Sequence, residues 1–201
     1  MQSLQPRHGD ALIIVDLQYD FLPGGALAVT DGDAVIPVLN ALIGVFEAAA
    51  LPVVATRDWH PERHCSFQPQ GGIWHPHCIA GSHGAAFADA LRLGGASVVS
   101  KATGVDRDAY SGFEGTALGE TLHEQGVRRV FVGGLATDYC VLQTVLDALK
   151  LGFEVVLLTD AIRAVDVQAG DGARAMARMV DGGARAAVLD DLIAAGVSAA
   201  A

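Results

Sequence analysis

The chain has 201 residues, 51% of them hydrophobic, and 13 Lys and Arg stand against 23 Asp and Glu for a formal net charge of −10. That length suits a single domain over 1–201 with ample material for a buried core, and the composition excludes a disordered chain. The charge excludes a nucleic-acid partner, which needs a basic face that no run of Lys or Arg supplies, and it suits a neutral or cationic small molecule better than an anionic one.

The first ten residues, MQSLQPRHGD, hold no apolar signal core, and no apolar run reaches membrane-spanning length. A cytoplasmic location without a membrane partner is the expectation. ALIIVD (11–16) is a continuous β-branched run and reads as a strand buried on both faces. A helical segment over 33–49 follows, then strands at LPVVATRD (51–58) and ASVVSK (96–101) and a helical segment over 115–125. Next come a strand at RRVFVGG (128–134), a helix over 138–150, a strand at FEVVLLTD (153–160), a helix over 168–180 and a weaker strand at ARAAVLD (184–190). Strands alternating with helices imply an α/β fold, three layers with a mainly parallel, doubly wound sheet at the centre. The alanine-rich tail, 193–201, extends the last helix or frays.

One region breaks the alternation. Residues 58–83 carry Pro, Gly, His and both Trp residues with no clean period, and a loop that long inside a compact domain is usually functional. The three cysteines, Cys65, Cys78 and Cys140, have no framework spacing, which points to a reducing compartment.

In parallel sheets, ligands bind beyond the carboxyl ends of the strands. Asp16, Asp58, Lys101 and the stretch leading to Cys140 all fall there. Asp160 also ends a strand on this reading, so position alone does not discriminate. In VGGLATDYCVLQT, Thr137 reads as the N-cap, with Asp138, Tyr139 and Cys140 in the first turn. A thiol there faces free amides and the positive end of the helix dipole, which depress its pKa, and the same amides can hold an oxyanion. The competing reading is a small buried residue at a strand–helix junction. Lys101 could hold a thiolate and Asp16 could carry its proton.

Asp58 and His60, two apart, point to the same side of an extended backbone. A third nitrogen from His64, His75 or His77 would complete a two-His, one-carboxylate metal site with open positions. Cys65 and Cys78 leave a closed structural zinc site open as a competitor. A solvated polar loop is the other alternative. Phe21, Trp59, Phe67, Trp74 and Tyr110 sit in loops or at strand ends, where several aromatics near one polar edge suit a flat heteroaromatic guest.

The segments ALIIVDLQYDF, TRDWHPERHCSF, WHPHCIAG, KATGVDRDAYSGFEGT and VGGLATDYCVLQT appear in order between about 11 and 160. Together they resemble the nicotinamidases (pyrazinamidases) of the isochorismatase-like cysteine hydrolase superfamily. IIVDLQ marks only the superfamily; the DWHP loop, the His-Cys pair and AYSGF are more specific. The resemblance implies Asp16, Lys101 and Cys140 as a catalytic triad, Ala136 and Cys140 as oxyanion-hole amides, and a cis peptide at Leu135–Ala136. It implies Phe21, Trp74 and Tyr110 as substrate-pocket aromatics. It also implies Asp58, His60 and His77 as ligands of one divalent metal, zinc by expectation, with iron or manganese also fitting. The sequence departs from the family at His75, where a proline is usual. The implied reaction takes a small-molecule amide, nicotinamide or pyrazinamide, to the acid and ammonia through a Cys140 thioester; whether the chain forms a homo-oligomer is left open. Competing readings are an amidohydrolase acting on a carbamoyl or ureido compound, a non-catalytic zinc protein, and a redox protein, which lacks a CxxC partner.

Overall fold

The computed structural model describes residues 4–193. The tail expectation therefore lies, past Ile193, outside the described residues. Six strands form one sheet: β1 (Asp10–Val15), β2 (Val53–Asp58), β3 (Ser97–Lys101), β4 (Arg129–Leu135), β5 (Glu154–Arg163) and β6 (Arg185–Ala187). Their order is β3-β2-β1-β4-β5-β6 and every pairing is parallel. Such a sheet must be covered on both faces, and β1 shows why its sequence is a continuous apolar run. Leu12 and Ile14 face one cluster with Leu39, Leu42, Ile43 and Phe46 of α1 (Ile36–Ala48) and Leu192 of α5 (Leu189–Ile193). Ile13 and Val15 face the other, packed against Leu122 of α2 (Leu118–Glu124), Val145 of α3 (Leu142–Lys150) and Met179 of α4 (Asp171–Asp181). This is the expected three-layer α/β/α architecture. Among the described residues, no helix is long and apolar enough to cross a membrane.

The helices are shorter than their periodicity suggests. The 33–49 segment opens with a 3-10 turn (Gly32–Val35), and α1 begins at Ile36 with Pro37 in its first turn. Beyond Asp58, which closes β2, the 58–83 region holds a 3-10 turn at Gln68–Gln70 and the isolated bridges His60–Ile79 and Phe67–Trp74.

The strand expected to end at Asp160 does not end there. β5 pairs Leu157 with Val132, then Ile162 with Gly134, so residues 158–161 bulge opposite Gly133 and the strand resumes to Arg163. Asp160 is thereby turned away from the strand-end cluster, and its Oδ2 accepts the Leu189 N–H at 3.0 Å. The bulge carries the chain on to Val165, at the rim of the crevice described below.

β1 and β4 approach so closely at their carboxyl ends that only glycine fits. Gly134 has φ +124°, and a Cβ there would lie 2.1 Å from the Val15 carbonyl oxygen. Backbone faces it, so nothing can swing aside. Replacing Gly134 with Ala should cost about 2 kcal/mol or more of stability, read from the denaturant midpoint. A variant as stable as the parent would refute this packing.

Candidate active site

The strand order reverses between β1 and β4, where a doubly wound sheet opens its crevice. Four neighbouring strands each deliver one group to that edge. Asp16 follows β1 with φ +51°, Asp58 closes β2, Lys101 closes β3 in register with Asp58, and Cys140 lies on the turn after β4. The Lys101 side chain, 1% exposed, runs among the other three. Its Nζ lies 3.0 Å from Asp16 Oδ2 and donates to Asp58 Oδ1, to the Ala109 carbonyl at 3.3 Å and to Cys140 Sγ at 3.4 Å. Thr56 Oγ1 donates to Asp16 Oδ1 at 2.7 Å, leaving Oδ2 to face the lysine and the thiol.

An ammonium this buried persists only if paired. Burial alone would pull the Lys101 pKa down, but Asp16 and Asp58 outweigh it and hold the group charged, well above its ordinary range. Burial pushes the Asp58 carboxyl up, yet Lys101 holds it below the usual carboxylate range. Asp16 ends above that range, because burial and the Asp58 charge together exceed the pull of Lys101. The Cys140 thiol is also pushed well up: burial dominates, Lys101 opposes it, and the two carboxylates reinforce it. The depressed thiol pKa expected from a helix terminus is therefore incorrect. Cys140 is 6% exposed, and that burial, reinforced by the two carboxylates, exceeds the pull of Lys101.

The turn itself also differs from expectation. Thr137 does not cap the helix; Ala136, extended at φ −97° and ψ 147°, takes that position and Thr137 is buried inside the next turn. Residues Thr137–Val141 form a wide π turn in which the Tyr139 and Val141 amides both donate to the Ala136 carbonyl at 3.1 Å. The Leu135–Ala136 peptide is cis.

Beside the lysine lie Asp58, His60 and His77, with ligand atoms all within 4.8 Å of one another. His60 Nδ1 lies 3.2 Å from the Ala102 carbonyl and His77 Nδ1 lies 2.8 Å from the His75 carbonyl. A carbonyl accepts only, so each ring carries its proton on Nδ1 and presents a lone pair on Nε2. Burial pulls the His77 imidazole down, toward the neutral form a ligand needs. His60 Nε2 is buried, has no hydrogen-bond partner and lies 3.6 Å from Asp58 Oδ2. An orphaned imidazole nitrogen aimed at a carboxylate oxygen fits a divalent ion, and two imidazoles with one carboxylate are a ligand set suited to zinc or iron.

The other candidates fall outside this trio. His64 stacks on His60 at 4.2 Å but commits Nδ1 to Ser66 Oγ at 2.7 Å and Nε2 to the Arg107 carbonyl at 3.0 Å. His75 is exposed. Neither Cys65 nor Cys78 joins a group of potential ligands among the described residues. Asp16, Asp58 and Cys140 form a second such group, but the Lys101 ammonium is the cation they surround.

Both groups open on a cavity of about 300 Å³ whose walls are largely aromatic. Phe21, Trp74, Tyr110, Ala136 and Cys140 line it. Trp74 Nε1 donates to the Tyr110 hydroxyl at 2.9 Å, which fixes both rings. The sequence reading missed Tyr139, Val165 and the 26–28 segment, which also line the cavity. Tyr139 packs edge-on to Trp74 at 5.2 Å and completes the wall; its place beside Cys140 was the available signal. A larger groove of about 620 Å³ runs along β3 and α2 but contains none of these groups. Chemistry, rather than volume, marks the site.

Comparison with known proteins agrees with this geometry. The isochorismatase domain model matches residues 10–191. Escherichia coli nicotinamidase is 39% identical over 203 residues, covering 90% of this chain and 95% of the relative. The crystal structure of Pyrococcus horikoshii pyrazinamidase in complex with zinc superposes with a TM-score of 0.86 at 48% identity, over 90% of this chain and 99% of that one. A protein of L. infantum in complex with nicotinate gives 0.87 at 40% identity, over 94% and 97%. This chain belongs to the isochorismatase domain family, in its nicotinamidase/pyrazinamidase branch.

Proposed function

We propose that the protein is a metal-dependent amidohydrolase that converts nicotinamide, and also pyrazinamide, to the acid and ammonia through a Cys140 thioester. The observation that carries this reading is the position of Asp58. One carboxylate oxygen holds the Lys101 ammonium that contacts Cys140, and the other faces His60 in the ligand trio. A nucleophile and a candidate metal centre are thereby joined through one side chain at the floor of one aromatic cavity.

Asp58, His60 and His77 would hold the metal. When bound, it supplies a Lewis-acidic anchor for the pyridine nitrogen, directly or through coordinated water. The flat ring lies among Phe21, Trp74, Tyr110 and Tyr139. Asp16, with its carboxyl tuned upward, takes the proton of the Cys140 thiol as sulfur attacks the carboxamide carbon. The oxyanion falls to the amides of Ala136 and Cys140, and Lys101 balances the charge. As the C–N bond breaks, Asp16 returns the proton to the departing ammonia. Asp16 next removes a proton from water, which attacks the thioester carbon; the C–S bond breaks and Cys140 recovers its proton. A thiol that holds its proton at rest suits this sequence, because one carboxyl serves both half-reactions.

Purified protein should release ammonia from nicotinamide, lose that activity on chelation and regain it with zinc. Cys140→Ala should lower kcat by about 10⁴-fold or more while leaving the circular dichroism spectrum unchanged. Retained turnover in that variant would end the thioester mechanism. Absence of turnover by folded, zinc-loaded parent protein would move the reading to another amide.

Tyr139→Leu tests the wall. It should raise KM for nicotinamide roughly three- to tenfold with little change in kcat, since ring packing acts equally on substrate and transition state. A fall in kcat at constant KM would place Tyr139 in the chemistry instead.

A further inference from the structure

The loop leaving β1 reads Asp16-Leu17-Gln18-Tyr19-Asp20, and of these only Asp16 enters the chemistry above. Gln18 is fully buried and applies its amide to the main chain of Asp58. Its Oε1 accepts the Asp58 N–H at 2.7 Å, and its Nε2 donates to the Asp58 carbonyl at 2.7 Å and to the Ala85 carbonyl at 2.9 Å. This is the pattern a neighbouring strand would offer. The β1–β2 ladder stops at Val15 and Thr56, and Asp16 then turns the chain away at φ +51°. Gln18 extends the ladder by side chain where the backbone can no longer do so. On its other side Asp58 is held by its pairing with Lys101 in β3. Without Gln18, one flank of the carboxylate-bearing residue would be untied.

Asp20 does the corresponding work for His77. Its Oδ2 accepts the N–H of Cys78 at 2.6 Å. Cys78 directly follows His77 and adopts φ +46°, a left-handed conformation that a non-glycine residue holds only when its surroundings impose it. The aim of the His77 ring depends on that turn.

We infer that Gln18 and Asp20 are positioning residues that fix Asp58 and His77 at metal-binding separation, and so set the affinity for a divalent ion neither of them touches. The inference rests on the metal reading of the trio proposed above. Groups that orient metal ligands characteristically change metal affinity by about 10–100-fold when removed. A purely structural role, tying β1 to the 84–86 loop through the Tyr19 and Asp20 amides, would cost stability alone.

The test is zinc affinity of the full chain, measured by competition with a chromophoric chelator, alongside the visible absorption of the cobalt-substituted protein. Gln18→Met and Asp20→Ala should each raise the zinc Kd by about 10–100-fold and alter the cobalt band. Asp20→Asn, which keeps an acceptor oxygen for the Cys78 amide, should recover most of the loss. Asn40→Ala, which removes bonds to Ala90 and Arg92 far from the ligands, should lower the melting temperature and leave Kd unchanged. If Gln18→Met does not fold, Gln18→Asn takes its place beside the Asp20 pair. Folded Gln18 and Asp20 variants that bind zinc like the parent would overturn the inference. So would an Asn40→Ala variant that loses affinity in proportion to its stability. A parent protein that binds no zinc, with His60→Ala indistinguishable from it, would instead remove the metal reading, an outcome read from those two titrations alone.

Discussion

The Lys101 ammonium, enclosed by Asp16, Asp58 and Cys140, is the constraint on which the rest of the site depends. A buried cation must be paired, and losing both carboxylates would strand it at a cost of about 3–5 kcal/mol or more. Two carboxylates share this one cation, so they cannot both be relaxed as anions. Asp58, held by Lys101, stays ionised, and Asp16, buried and facing the Asp58 charge, has its pKa raised. Burial, reinforced by the same carboxylates, pushes the Cys140 thiol up. A carboxyl displaced upward is a stronger base than an ordinary carboxylate, and Asp16 lies within reach of the thiol.

Topology delivers these groups. In the order β3-β2-β1-β4, Lys101, Asp58, Asp16 and Cys140 come from successive strand ends. Three strand spacings separate β3 from β4, more than any one side chain spans, so Lys101 reaches inward over β2 and the turn after β4 must return Cys140 to meet it. The closure of β1 on β4 at Gly134 keeps the span short, and the wide π turn brings Cys140 back over the strand ends. Packing at one glycine and the reach of one lysine are parts of the same geometry.

The strand cores were legible because a parallel sheet buried on both faces demands β-branched runs, and little else in the chain looks like ALIIVD or RRVFVGG. The β5 bulge was not legible. Thr-Asp after an apolar run reads as a strand end, whereas the resumption at Ile162 depends on pairing with Gly134 across the sheet. Thr137 satisfies the statistics of a cap, but tertiary packing buries it and the turn widens instead. The Cys140 environment was misread for a similar reason. A helix terminus is visible in sequence, while carboxylates arriving from β1 and β2 are not. Among the histidines, composition left the third ligand open; the choice rests on which ring nitrogens are already committed, as both are in His64. Gln18 and Asp20 escaped notice because their partners lie 40 and 58 residues away.

The arrangement of charge also gives the proposed reaction a direction. Nicotinamide is neutral and enters an aromatic cavity of an acidic protein without electrostatic penalty. Its hydrolysis leaves a carboxylate where the amide stood, beside Asp16 and Asp58 and with Lys101 already shared between them. Among the described residues, no Lys or Arg side chain lines the cavity to accept it. On the proposed mechanism the new carboxylate would face these acidic groups, while the aromatic wall would hold substrate and acid alike. A cavity with a free arginine at its floor would bind the acid tightly and stall on it.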